Sequence, residues 1–403
     1  MAWKRDVALL FATRSVRLFA YGLLSVTLVL HLSAAGLSEG RIGLLLSLTL
    51  AGDTVLSLWV TTRADRAGRR RMLALGGLLM AGAGLAFAGS TGFWVLLLAA
   101  TAGIISPAGN EVGPFLAIEQ AALSQVLPGG SRTRAFAWYA LAGSLATALG
   151  ALAGGSLAEG LQSAGLAPLA SYRALALGYA ALALVLLILF ARLGPEVEAP
   201  AGAAPPGRLG LGRSRGVVAR LSALFALDAF AGGFIVQSLV AWWFHRRFGL
   251  EERGLGALLF GANALAGLSA LAAGRLAQRF GLVNTMVFTH LPSNVLLLLV
   301  PLMPTLPLAV AVLLLRFSIS QMDVPTRQSY TMAVVEPAER AAAAGVTGIA
   351  RTVGASLAPV LAGPLYASAA LAGLPFYLAG GLKIAYDLLL WRSFRRLRPE
   401  EER

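Results

Sequence analysis

Ten charged residues fall inside stretches that are otherwise long and apolar: Arg14, Arg17, Asp53, Glu111, Asp228, Arg316, Asp323, Arg351, Lys383 and Asp387. Placing a charge at the centre of a membrane helix costs about 2.5–3.5 kcal/mol on insertion scales, so each marks an ion pair, a polar pathway or a solute contact. Five are positive and five negative, which implies pairing. Arg14, Arg17, Tyr21 and Ser25 recur at helical spacing and share one face. In "RFSISQMDVPTRQSY", Arg316, Ser320, Asp323 and Arg327 do the same, and Pro325 predicts a local bend. "SPAGNEVGPF" offers Asn110 and Glu111 just before Pro114. Lys383 and Asp387, four apart, read as a local pair. His290 in "FTHLPSN" has the ring chemistry to carry a proton, with an unperturbed pKa of about 6.5.

This is the chemistry of ions and polar solutes, and no enzyme is expected. No HExxH, GxxxxGK[ST] or GxSxG pattern occurs, and His31, His245 and His290 lie far apart. Cysteine is absent, which excludes disulfides and thiolate metal sites. No catalytic residue, metal or cofactor is expected, and no nucleotide-binding domain is visible.

The elements that must position these residues are membrane helices. Apolar residues make up 57% of the 403-residue chain and charged ones only 13%, against about a quarter in soluble domains. Mean hydropathy is +0.74. Apolar runs predict twelve spans, at 8–33, 40–61, 72–90, 92–113, 135–158, 171–192, 217–242, 254–274, 281–302, 305–325, 341–366 and 374–394. The start reads as a first span rather than a signal peptide, since arginines interrupt it and no small-residue cleavage site follows. With a cytoplasmic N-terminus, about 23 of the 33 basic residues fall on that side and about five on the other. Both termini are then cytoplasmic. The net charge of +14 is a topology signal, not a nucleic-acid footprint. Arginine-for-lysine bias with abundant Ala and Gly points to a GC-rich bacterial genome and hence a bacterial inner membrane.

"LGPEVEAPAGAAPPGRLGLGRSRG" (193–216) reads as a flexible cytoplasmic linker between six spans in 1–192 and six in 217–403. The halves resemble each other. The stretch from 41 lies over that from 254 without a gap, matching Gly43 to Gly256, Leu58 to Leu271, Arg66 to Arg279 and Gly68 to Gly281. A slightly different register places Phe19, Ala20 and Gly22 on Phe230, Ala231 and Gly233.

The turn between spans 2 and 3, "TTRADRAGRRRM", concentrates five arginines and one aspartate. It resembles the signature of the major facilitator superfamily, roughly G-x8-G-x3-D-[RK]-x-G-[RK]-[RK]. Gly52, Asp65, Arg66, Gly68, Arg69 and Arg70 supply it, and Thr61 replaces the second glycine. A degraded copy follows span 8, with Gly274, Arg279 and Gly281 but Gln278 for the aspartate.

The resemblance implies an all-α membrane protein with twelve transmembrane helices in two pseudo-symmetric six-helix bundles. It implies that spans 1, 4, 7 and 10 line a central cavity and that Asp65 latches the halves near span 11. A topology anchor without a latch is the other reading of that loop. Arg14, Arg17, Tyr21, Asp228, Gln237 and Arg316 are the candidates for substrate binding or coupling, with Arg17 and Asp228 expected to pair. Asp53, Asn110, Glu111, Asp323, Arg327 and Arg351 are the candidates for gating, with Asp53 expected to face Arg351. Span 9 is peripheral in the family, so a structural hydrogen bond is favoured for His290.

The function implied is secondary transport of a small solute by alternating access, coupled to protons through Asp228, Glu111 or Asp323. A surplus of mid-depth arginine leans toward an anionic or zwitterionic compound, and the resemblance leans toward export. The alternatives are a multidrug/proton antiporter for lipophilic compounds and a non-transporting sensor on the same fold. The expected partners are the solute, protons and the bilayer, with no nucleic acid and no obligate protein partner.

Overall fold

The computed structural model describes residues 2–109, 114–127, 132–198, 212–336, 339–395 and 397, without the side chains of 2, 3, 62, 65, 132–134 and 341. Its α-helices in chain order are α1 (Ala2–Ala34), α2 (Glu39–Ala67), α3 (Arg69–Gly89), α4 (Phe93–Ala102), α5 (Phe115–Val126), α6 (Arg132–Ser163), α7 (Pro168–Ala191) and α8 (Arg215–Gly233). There follow α9 (Gln237–Phe248), α10 (Glu252–Phe280), α11 (Leu282–Leu299), α12 (Leu306–Phe317), α13 (Asp323–Ala333), α14 (Arg340–Ala367) and α15 (Leu374–Phe394).

The protein is all-α, as a bilayer demands of chains that satisfy their backbone groups within each segment. Nine helical stretches among the described residues are long and apolar enough to cross a membrane, with α8 and α9 counted as one. The other three of the twelve spans are α4 with α5, α12 with α13, and α15. Outward-facing Trp94, Val55, Leu98, Phe288 and Leu302 are more than half exposed, an apolar surface suited to lipid.

Spans 4, 7 and 10 are each built from two helices. Gly232 and Gly233 end α8, and the amides of Phe234 and Ile235 turn to the carbonyls of Ala231 and Gly232. In span 10, α12 stops at Phe317 and α13 begins at Asp323. Pro325 therefore sits in the first turn of α13, where its missing N–H has no partner to lose. The expected bend falls just before it.

The chain forms two compact units, Met1–Pro206 with Gln237–Phe260, and Gly207–Val236 with Gly261–Arg403. The first unit takes in α9, whose first amides join it: Ser238 N–H donates to the Pro107 carbonyl at 3.1 Å. Its tightest seam runs between α1 and α6. A Cβ on Gly22 would strike the Thr147 carbonyl oxygen, and one on Gly150 the Phe19 carbonyl oxygen. In the second unit α8 packs on α14 and α11 on α15, around Leu221, Phe225, Met286, Tyr330, Tyr386 and Leu390.

Candidate functional site

Unit 2 holds a dense cluster of buried charge around one carboxylate. Asp228 projects from α8 and is 4% exposed. Lys383 Nζ on α15 lies 2.5 Å from its Oδ1, and Arg327 Nη1 on α13 lies 3.1 Å from its Oδ2. Arg351 on α14 adds a guanidinium nitrogen 3.8 Å from Oδ2. Arg327 also meets Asp323, one turn back on α13, at 3.2 Å, and stacks over the Phe225 ring. A buried ion survives only with such partners, because several kcal/mol of hydration are lost when it leaves water.

Arg316, at the end of α12, lies in the field of Asp228 and Asp323 and stacks on Phe317 at 4.8 Å. Its Nε, and Nη1 of Arg351, have no hydrogen-bond partner among the described residues. Donors of that kind await an acceptor.

Beside this cluster sits a second one. His290 Nδ1 on α11 is 2.8 Å from Asp387 Oδ1, and Asn294 Nδ2 donates to Oδ2 at 2.9 Å. The local Lys383–Asp387 pair expected from sequence is not formed. Although one turn apart on α15, Lys383 turns to α8 and Asp387 to α11. Neighbouring helices offered each a better partner than the exposed intrahelical geometry would.

Unit 1 holds a separate, closed cluster. Arg17 Nη1 and Nη2 donate to Glu119 Oε1 and Oε2 at 2.8 and 2.7 Å. Thr13 Oγ1 donates to Oε1 at 2.8 Å and the Tyr139 hydroxyl to Oε2 at 2.5 Å. Arg17 stacks on Phe115 and Arg14 on Tyr139. The expected Arg17–Asp228 pair thus gives way to partners that each residue finds within its own unit. Sequence reading missed Glu119 because it ended span 4 at 113. The apolar period of "FLAIEQAALSQV", which buries Phe115, Ile118, Glu119, Ala122 and Leu123, was the available signal.

Tyr21 is fully buried. Gln237 Nε2 donates to Ser25 Oγ at 2.8 Å, closing the polar face of α1. Asp53 lies in unit 1, where Ser57 Oγ is 3.4 Å from its Oδ1, while Arg351 lies in unit 2 beside Asp228. Asn110 and Glu111, and the side chain of Asp65, lie outside the described residues.

The signature loop is clear in other respects. Gly52 packs α2 on α4, since a Cβ there would strike the Thr101 side chain. Gly68 takes φ +97°, the left-handed region, and joins α2 directly to α3. Its repeat partner Gly281 takes φ +82° between α10 and α11. Arg66 is exposed, and Arg70 Nη2 donates to the Ala191 carbonyl. Arg69 is buried, its Nη1 donating to Gln125 Oε1 at 2.8 Å and to the Val197 carbonyl at 3.1 Å. The Glu198 carboxylate accepts the amides of Arg69 and Arg70 at 2.6 and 3.3 Å, capping the positive end of α3. The stretch expected to begin a flexible linker is therefore anchored as far as residue 198.

The cluster of guanidinium and ammonium groups has the chemistry to hold an anion. Residues 10–359 match the Major Facilitator Superfamily. The uncharacterized membrane protein YJR124C of Saccharomyces cerevisiae is 31% identical over 418 residues, covering 96% of this chain and 93% of that one. Among solved structures, the nucleoside transporter NupG superposes with a TM-score of 0.74 at 14% identity, covering 96% of this chain and 99% of that one. The human organic anion transporter MFSD10 does so with a TM-score of 0.64 at 20% identity, covering 97% and 100%. These two likenesses concern the fold. By the extent of the family match and the identity to its yeast relative, this integral membrane chain belongs to the major facilitator superfamily.

Proposed function

We propose that this protein is a proton-coupled secondary transporter that moves a small anionic or zwitterionic solute by alternating access. One observation carries the reading. Arg316, Arg327, Arg351 and Lys383 gather around only Asp228 and Asp323, while Asp387 is taken up by His290 and Asn294. With Asp387 counted as a third carboxylate the surplus is one cation, and Arg316 and Arg351 each keep a buried donor with no hydrogen-bond partner among the described residues. A planar guanidinium matches a carboxylate or phosphate in a two-point fork, so a solute bearing one such group is complementary. MFSD10 is an organic anion transporter, and an organic anion suits the same chemistry. Arg17 adds nothing to the surplus, because Glu119 neutralises it. The basic excess on one side of the spans supports an orientation with both termini on the cytoplasmic side.

The test is flux in proteoliposomes. Radiolabelled monocarboxylates, dicarboxylates, amino acids and organic phosphates are offered with and without a pH gradient. The expected result is that one anionic class enters, faster under the gradient, and that Arg316→Ala and Arg351→Ala each abolish it. Gradient-driven movement of ethidium instead would make the protein an antiporter for lipophilic cations. No flux of any compound would leave the sensor reading.

A further inference from the structure

The surplus of cations leaves one buried group without a task in solute binding. His290 is 4% exposed and stands between two carboxylates. With Nδ1 2.8 Å from Asp387 Oδ1, the ring places its Nδ1 proton on that hydrogen bond, which fixes the tautomer and leaves the Nε2 lone pair free to accept. Nε2 in turn lies 3.9 Å from Asp228 Oδ1, the oxygen that Lys383 holds. We infer that His290, oriented by Asp387, is the binding site of the coupling proton, an inference that rests on the transport reading above.

The surroundings suit the task. The titratable groups that meet the ring are Asp228 from α8 and Tyr386 and Asp387 from α15; Lys383 from α15, Arg327 from α13 and Arg351 from α14 hold Asp228 in turn, with Asp323 of α13 on Arg327 and Arg316 of α12 in the field of both carboxylates. The Tyr386 ring stands edge-on to His290 at 5.9 Å. The Tyr386 hydroxyl, Ser293 Oγ and Asn294 Oδ1 are buried without a hydrogen-bond partner among the described residues. Ser293 and Asn294 follow His290 by about one turn of α11.

The step is a simple proton transfer. A proton leaves a hydronium ion and bonds to Nε2, giving an imidazolium whose two N–H groups address Asp387 and Asp228, and a water molecule remains. The new cation competes with Lys383 for Asp228 Oδ1 and loosens the hold of that carboxylate on Arg351. Both effects turn positive charge toward an incoming anion, so proton and anion bind together and leave together. The sign of coupling follows. On this inference an inward proton gradient drives uptake, the opposite direction to the export that the sequence suggested.

Two arms test this on the full-length protein. In the first, nitrogen NMR of the 15N-histidine-labelled protein, without any solute, follows ring protonation, with His290→Gln assigning the signal. The ring of His290 is expected to take up a proton as the medium is acidified, and Asp387→Asn to disturb its tautomer. A ring that stays neutral down to pH 4 overturns the inference. In the second, proteoliposomes receive the acids of the flux panel under a one-unit pH gradient. At one proton per solute the wild type accumulates the transported acid about tenfold. His290→Gln should keep solute-for-solute exchange but accumulate about onefold. Should that variant not fold, Asp387→Asn takes its place, with reduced accumulation expected. Full accumulation by a folded His290→Gln overturns the inference. Absence of wild-type flux defeats the transport reading alone, and the NMR arm still decides the proton site.

Discussion

Arg17 and Glu119 face each other as a two-point fork, 2.8 and 2.7 Å apart, with neither side chain exposed. Removing one partner strands the other charge, and such losses run to about 3–5 kcal/mol. Arg17→Ala and Glu119→Ala should each lower the melting temperature in detergent strongly. Arg17→Met combined with Glu119→Leu should recover most of it, because apolar pairs of similar size often replace buried ion pairs without loss. A double variant no more stable than either single one would show that Thr13 and Tyr139 need the carboxylate more than Arg17 does.

Asp228 plays the opposite part. It shares its oxygens among Lys383, Arg327 and Arg351, so its loss leaves a knot of like charges. Asp228→Asn keeps the shape and is expected to abolish flux while the protein still elutes as a single folded species. In a double-mutant cycle, Asp228→Ala and Lys383→Ala should couple by about 0.5–3 kcal/mol, read from thermal unfolding. Undiminished flux through Asp228→Asn would remove this carboxylate from the mechanism.

Where α1 crosses α6, backbone meets backbone. Gly150→Val would drive a branched side chain into the Phe19 carbonyl, and a cost of about 1–3 kcal/mol is expected. Gly82, inside α3 with open space around its Cα, is the control. Gly82→Ala should stabilise by about 0.5–1 kcal/mol through lower unfolded-state entropy and better helix propensity. Thermal melts of both variants check the contrast.

Glu339 caps the segment that leads into α8, accepting the amides of Gly212 and Ser214 at 2.9 and 3.1 Å. Desolvation pushes this carboxyl up, but the Gly212 amide and the Ser214 hydroxyl and amide outweigh it and hold it below the ordinary glutamate range. A depressed folded pKa means stability present above the unfolded value of about 4.3 and lost as pH falls through the folded one. Amide exchange at Gly212 and Ser214 should therefore quicken, relative to other amides, only below about pH 4.3. Glu339→Gln should remove that acid-side change.

The degree to which the sequence revealed all this differs from residue to residue. Gly68 and Gly281 were legible as equivalent turn positions, and both adopt left-handed backbone between consecutive helices. The twelve spans followed from apolar length alone. Of the breaks in spans 4, 7 and 10, only the last was expected, from Pro325; Pro114 and the Gly232–Gly233 pair were signals left unread for the other two. Glu119 was missed because a carboxylate beyond the expected end of a span looks like solvent-facing loop.

The pairings were the least legible part. Asp323 and Arg327 find each other one turn apart, as spacing suggested, yet Lys383 and Asp387 at the same spacing part company. Burial, helix period and the side on which arginines accumulate are properties of a chain's own residues, and they determined a twelve-span membrane protein with charges hidden in it. Which charge meets which depends on the rotation of each helix against its neighbours. That rotation is settled by packing between segments far apart in sequence, such as α8 with α15 or α1 with α5, and only the tertiary structure decides it.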